Sequence, residues 1–298
     1  MAAFPLNSKS NFHGRSISLP SRPHPLILKC NEHLDTLSIS SNETSSSSLI
    51  FHKIDGLRDL IECVEKLVQL PLTQDALLHE HQENGVNNLL DGSLRLLDVC
   101  SAAKDAIIHT KECTRELQSL IRRSKRRGGG EVELTTEVKK FLTSRKVVRK
   151  SISKTLVNLK GNAKNCNILS TNKDHQTVAL INLLQDVEVA TLSTFQTILQ
   201  FISGSTQSKS NSWGSISKLI QPKRVSCSLV ADESEFAQVD GALQSFVLTK
   251  TRKLEAINDL QNHLEKAESC IQDLEEGLEF LFRRLIKIRV SLLNILNH

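Results

Sequence analysis

The stretch INDLQNHLEKAESCIQDLEEGLEFLFRRLIKIRVSLLNI, residues 257–295, decides how this chain folds. Ile257, Leu260, Leu264, Ala267, Ile271, Leu274, Leu278, Leu281, Leu285, Ile288, Leu292 and Ile295 recur at alternating spacings of three and four without a break. A helix turns once in about 3.6 residues, so a sustained 3.5-residue repeat draws one apolar stripe that needs a partner helix lying lengthwise on it. The flanks carry Cys270, Gly277 and Phe282 where a two-stranded coil would place Glu and Lys. That wider apolar face predicts an intramolecular bundle in preference to a self-associating coil. Leu264, Ile271, Leu274, Leu278, Leu281, Leu285, Ile288 and Leu292 form its helix-packing stripe. The register also extends back through Leu243, Val239 and Phe236, with Lys250 and Lys253 interrupting it.

Working outward, Ile50, Ile54, Leu57, Ile61, Val64 and Val68 mark a second amphipathic helix that Pro71 ends. Its start is a serine tract whose last members suit an N-cap. A short helix over 27–37 precedes it, and another over 73–81 follows. ENGVNN, residues 83–88, reads as a turn by its Asn and Gly. A longer helix over 89–123 presents Leu94, Leu97, Cys100, Ala103 and Ile107 on one face. A helix over 132–159 turns Val138, Leu142, Val148, Ile152 and Leu159 inward, and Lys139, Lys140, Arg145, Lys146 and Arg149 mostly outward. A further helix covers 175–202, and WGSISKLIQ, residues 213–221, is a short amphipathic piece stopped by Pro222. The pattern predicts an all-α, elongated helical bundle over 25–298 with flexible linkers near 38–48, 124–131 and 203–234. Residues 1–24 show neither a 2.0 nor a 3.6 period, and four of the six prolines lie in the first 25 residues, so this basic, Ser/Pro-rich arm reads as disordered.

Composition agrees with helices packed by Leu, Ile and Val: aromatics are 4% of residues and Tyr is absent, which suits a β-sandwich poorly. The seven cysteines are scattered without a CxxC pair, so they read as reduced thiols in a cytoplasmic setting rather than a disulfide framework or a zinc site. Residues 189–208 carry no charge and have the length of a bilayer span, but eleven of the twenty are Thr, Ser or Gln, and a buried amphipathic helix explains them better.

The net charge of +5 is unevenly placed: residues 111–160 hold 15 Lys or Arg against 5 Glu. The sharpest part is Arg122, Arg123, Lys125, Arg126 and Arg127, followed by three glycines. Cations favour a helix C-terminus and glycine its exit, so a solvated helix end is the simpler account. A nuclear-localisation run, or a patch for nucleic acid or anionic lipid, is the alternative.

Residues with recognisable chemistry are few. HEH at 79–81 spaces its histidines by two, placing them on different sides of a helix, so metal binding is not expected. The triple glycine lacks the Lys-Ser/Thr of a phosphate loop, and no GxSxG elbow occurs. The reading is of a non-enzymatic protein with no catalytic residue, metal or cofactor assigned.

Several segments are distinctive in combination: RSISLPSRPHPL (15–26), SLRLLDVCSAAKDAI (93–107), FLTSRKVVRKSISKTLVNLKG (141–161), WGSISKLIQ and the ending CIQDLEEGLEFLFRRLIKIRVSLLNILNH. Together they resemble a plant-specific family of unassigned biochemical activity related to the BYPASS proteins, over about residues 15–298. The resemblance implies roles in root and shoot development, and the family has no established enzymatic activity or cofactor. In that context Arg15, Ser16, Ser18 and Pro20 form R-S-x-S-x-P, similar to the phosphoserine motif read by 14-3-3 adaptors. Phosphate on Ser18 would add nearly two negative charges to an accessible cationic arm, for an arginine cluster of a partner to bind. A plastid transit peptide is the competing reading, because the first 31 residues hold four cations and no Asp or Glu.

Overall fold

The structure, a computed structural model, describes residues 24–39, 46–80, 85–127, 131–162, 175–204, 234–248 and 253–297. They form the helices α1 (Pro25–Ile39), α2 (Ser47–Val68), α3 (Pro71–Glu80), α4 (Gly85–Arg127), α5 (Glu131–Asn162), α6 (His175–Ser203), α7 (Glu235–Leu248) and α8 (Lys253–Asn297). No strand occurs among the described residues. The all-α, elongated bundle is what the periodicity predicts.

Two long helices make its spine. α4 and α8, with 43 and 45 residues, each span about 65 Å at 1.5 Å per residue. They run antiparallel: Arg289 reaches the Leu90 carbonyl, Lys104 pairs with Glu279, Gln118 with Glu268, and Lys125 with Asn258. Every residue of the α8 stripe from Leu260 to Ile295 is buried. α4 answers with the same arithmetic, through Leu89, Ser93, Leu96, Cys100, Ala103, Ile107, Thr110, Thr114, Leu117 and Ile121, all buried and spaced by four and three. Three of these are hydroxyl residues whose protons go to their own helix: Ser93 Oγ to Leu90 O at 2.7 Å, Thr110 Oγ1 to Ala106 O at 2.7 Å, and Thr114 Oγ1 to Thr110 O at 2.8 Å. Those polar members disguise the stripe. Leu94, expected inside, is 46% exposed, and Leu96 takes the inward position.

α2 runs parallel to the C-terminal half of α8. Arg284 bonds Glu62 and Glu65, and a Cβ on Gly277 would lie 2.7 Å from Ile54 Cγ2, so glycine permits the close approach of the two helices. Ser46 caps α2, its side chain accepting from the Leu49 N–H at 3.4 Å. α1 packs antiparallel on α2, with Leu37 against Gly56 and Cys30 against Cys63. α6 lies across α1, α2, α4 and α5. Its segment Thr177–Ser203 is long and apolar enough to cross a membrane by length and composition, and here Phe195, Ile198, Leu199 and Ile202 are buried in the larger of two hydrophobic clusters.

The smaller cluster corrects the reading of α7. The 3.5-residue register does not pass through one continuous helix. α7 stops at Leu248, α8 starts at Lys253, and the chain doubles back so that Val239, Leu243 and Phe246 share a core with Leu260, Leu264 and Ala267. A straight continuation would press Lys250 and Lys253 into an apolar stripe, an unfavourable burial of charge. A hairpin avoids it.

Three further differences are local. Gly85 to Asn88, expected in a turn, open α4, because Val86 has a fully buried place in the large cluster. Residues 38–39, 47–48, 124–127, 131 and 203 are helical, so the described helices extend into the expected linkers. Arg145, expected outward, is 2% exposed. The arm 1–23 and the WGSISKLIQ piece lie outside the described residues.

Candidate functional site

On α5 the buried positions are Leu134, Val138, Phe141, Arg145, Val148 and Ile152, again spaced by four and three. Leu142 and Leu159 are half-buried on the shoulders. Arg145 therefore falls where a hydrophobe belongs, and its charge needs a buried partner. Asp240, on the facing turn of α7 between Val239 and Leu243, supplies it. Arg145 donates from Nε to Asp240 Oδ1 at 3.1 Å and from Nη2 to Oδ2 at 3.1 Å, the two-pronged pairing that suits a planar guanidinium. One turn later, Arg149 donates from Nη2 to the same Oδ2.

The two arginines also close the end of α6. Arg145 Nη2 donates to the Ile202 carbonyl at 2.9 Å and Arg149 Nε to the Ser203 carbonyl at 2.8 Å. Those carbonyls belong to the last turn of α6 and sit at its negative end, so cations belong there. Gly204 follows with φ of 68°, the left-handed exit that favours glycine, and a Cβ on it would lie 3.2 Å from Asp240 Oδ2. The Arg145 guanidinium stands over the Phe236 ring, 5.4 Å from its centroid, and Phe236 meets Phe201 edge-on at 5.5 Å. Ser234 caps α7, its hydroxyl accepting from Ala237 N at 3.3 Å. Two cations, one carboxylate and one helix terminus thus bring α5, α6 and α7 together. The chain leaves this junction at Gly204 and re-enters it at Ser234.

The basic run ends differently. Arg122, Arg123, Lys125 and Arg126 are exposed on the last turns of α4; the side chain of Arg127 lies outside the described residues. Lys125 Nζ is held by Asn258 Oδ1 at 2.7 Å and Gln261 Oε1 at 2.6 Å. Upstream, Lys104 pairs with Glu279 and Lys111 with Glu275, so part of the local positive charge is spent on fixing α4 to α8. Lys139, Lys146, Lys150 and Lys154 remain exposed along the outer side of α5.

One pair has the look of a nucleophile and its base: Ser144 Oγ lies 2.6 Å from His109 Nε2, with Cys113 Sγ 3.2 Å from the same hydroxyl. All three sit within helices, where backbone N–H groups are already bonded, so no donor pair faces a developing oxyanion there. An apolar cavity of about 50 Å³ lies among Ile61, Val64, Leu96, Leu184, Leu285 and Leu292. It is far below the size of a small-molecule site.

The outer surface of the spine is less polar than its length requires. Arg289 Nη1 donates to Leu90 O at 2.6 Å and to Ser93 Oγ at 2.8 Å, bringing the 90–94 turn of α4 against the 286–293 turns of α8. There Leu94, Ile286, Val290 and Leu293 are each between 38% and 48% exposed, and Phe282 is half-buried beneath Lys104. Asp91 and Asp98, three before and four after Leu94, are exposed on the same side of α4.

The fold and these sites define a class: an elongated all-α bundle held by buried ionic contacts, with its exposed features on helix surfaces. Within that class the chain belongs to the family described as Protein BPS1, which matches residues 53–295, consistent with the BYPASS-related resemblance. Comparison with curated proteins and with solved structures gives no match. The match begins inside α2 and spans α3 to α8, so both halves of the Arg145–Asp240 clamp lie within it.

Arg145 was legible in principle: its position continues the 134, 138, 141, 148, 152 series. Asp240 as its partner was not, because 95 residues separate them.

Proposed function

We propose that this protein is a non-enzymatic helical module that binds other proteins in the context of plant root and shoot development. Family membership supports the developmental setting. The observation that carries the binding role is the apolar strip of Leu94, Ile286, Val290 and Leu293 along the two longest helices. Its occupant is an amphipathic helix of another protein, with apolar residues at three- and four-residue spacing and cations facing Asp91 and Asp98. The N-terminal arm is a separate handle, docking to 14-3-3 adaptors when Ser18 is phosphorylated. The working compartment is the cytoplasm; cleavage of the arm in a plastid, or entry to the nucleus through the basic run, would move it.

A quantitative pull-down from plant extract tests both surfaces. Wild type, Ser18→Ala and Val290→Asp are compared. Loss of 14-3-3 proteins with Ser18→Ala alone supports the handle, and loss of a different set with Val290→Asp alone supports the strip. Identical partner sets for all three chains refute the reading.

A second reading is supported by the exposed row Lys139, Lys146, Lys150 and Lys154: binding of nucleic acid or anionic lipid through the basic region 111–160. It predicts salt-dependent retention on RNA, DNA or acidic vesicles. Lys146→Glu with Lys150→Glu should abolish retention, and Arg126→Glu with Arg127→Glu should weaken it. Unchanged retention in both pairs excludes the region.

A further inference from the structure

Cys30 in α1 and Cys63 in α2 are 33 positions apart in sequence, and both are buried. Their Sγ atoms lie 3.0 Å apart, with Cys63 Sγ also 3.4 Å from the Leu26 carbonyl. Two sulfurs joined by a bond are about 2.05 Å apart, so roughly one ångström of movement separates this pair from a disulfide. The helices are already antiparallel and in contact on both sides of the pair, through Leu37 with Gly56 and through Leu26 with Cys63, so no refolding is needed to close it. The other described cysteines have no such neighbour: Cys113 faces Ser144, Cys100 faces the Leu278 carbonyl, and Cys270 is buried in the large cluster.

We propose that Cys30 and Cys63 are a reversible redox latch that fastens α1, and the root of the N-terminal arm, to the body of the bundle. The oxidant is a low-molecular-weight disulfide such as glutathione disulfide. One cysteine thiolate attacks it, forming a mixed disulfide and releasing one glutathione thiolate. The second cysteine then gives its proton to solvent and attacks the protein-side sulfur of the mixed disulfide. The Cys30–Cys63 bond forms and a second glutathione thiolate leaves. Two protein thiols are oxidised and one glutathione disulfide is reduced to two thiols.

Burial, with Cys63 close by, holds the Cys30 thiol far above its ordinary pKa, so Cys30 carries little thiolate while α1 is docked and reacts slowly. α1 rests on α2 and α6, and lifting of its first turns admits the reagent. Redocking then closes the bond. Oxidation converts a helix free to lift into one tied across a 33-residue separation. The family match begins at Lys53, so the latch would join a segment outside it to one inside it.

The test uses the full chain equilibrated in glutathione buffers from fully reduced to fully oxidised, quenched with acid and N-ethylmaleimide, and digested with trypsin. The expected product is the peptide 30–53 joined to the peptide 59–66, lighter by two hydrogens than the pair and separated again by dithiothreitol. The oxidised chain should melt about 5 °C or more higher than the reduced chain. Cys63→Ala should abolish that shift, whereas Cys113→Ala should leave it; Cys30→Ala repeats the test should Cys63→Ala fail to fold. Absence of the linked peptide in the most oxidised buffer, or a linked peptide without a change in melting, overturns the proposal.

Discussion

Arg145 of α5 and Asp240 of α7 face each other through two parallel hydrogen bonds of 3.1 Å, with side chains only 3% and 5% exposed. A pair this deeply buried is held at the cost of desolvating both ions, so its removal one side at a time is far worse than its replacement as a unit. Asp240→Ala leaves the buried guanidinium of Arg145 and that of Arg149 without their common acceptor. The expected loss is about 3–5 kcal/mol in urea denaturation. Arg145→Met combined with Asp240→Leu should cost much less than Asp240→Ala alone. A double variant as unstable as the single one would show that the clamp's worth lies in packing rather than charge.

Gly277 marks a close approach of α8 to α2. A methyl group there meets Ile54 Cγ2, a branched side chain in the core, so Gly277→Ala should destabilise the protein by about 1–3 kcal/mol although alanine is the better helix former. Adding Ile54→Ala removes the obstacle, and the two changes together should cost less than the sum of each measured alone.

Glu279 provides a pH test of the spine. Its carboxyl is held below the ordinary 4.5, first by its hydrogen bond to Lys104 and then by that to Arg283. A depressed folded-state pKa stabilises above the unfolded-state value, and the contribution disappears as pH falls through the lower folded-state value. The stability difference between wild type and Glu279→Gln should therefore be constant from pH 7 to 5 and shrink below about 4.5. Solvent screens this half-buried pair in part, so the difference should also shrink in high salt.

Thiol labelling reports on the core. Desolvation pushes the Cys100 thiol up to about 12 and raises that of Cys270 further, while Cys113 is half-buried on the surface between α4 and α5. Among these three, N-ethylmaleimide at pH 8 should modify Cys113 first, and Cys100 and Cys270 only at the rate of unfolding. Rapid labelling of Cys100 in the native protein would contradict the antiparallel contact of α4 and α8.

The sequence by itself determined the helices and the stripe that organises them. The 3.5-residue repeat from Leu260 to Ile295 fixes which side of α8 is buried, because periodicity is a local property of neighbouring residues. The same arithmetic carried α2 and most of α5. It failed for Leu94 because Ser93, Thr110 and Thr114 occupy stripe positions and satisfy themselves on their own helix. It also placed Arg145 outside on charge, although its spacing put it inside. Tertiary structure alone decided where α7 reverses, which helix α8 lies against, that Asp240 receives Arg145 and Arg149, and that Cys30 meets Cys63. Each of these joins residues tens or hundreds of positions apart. Such pairings follow from how the stripes share one core and how the buried charge of Arg145 finds a partner, and neither condition can be evaluated one helix at a time.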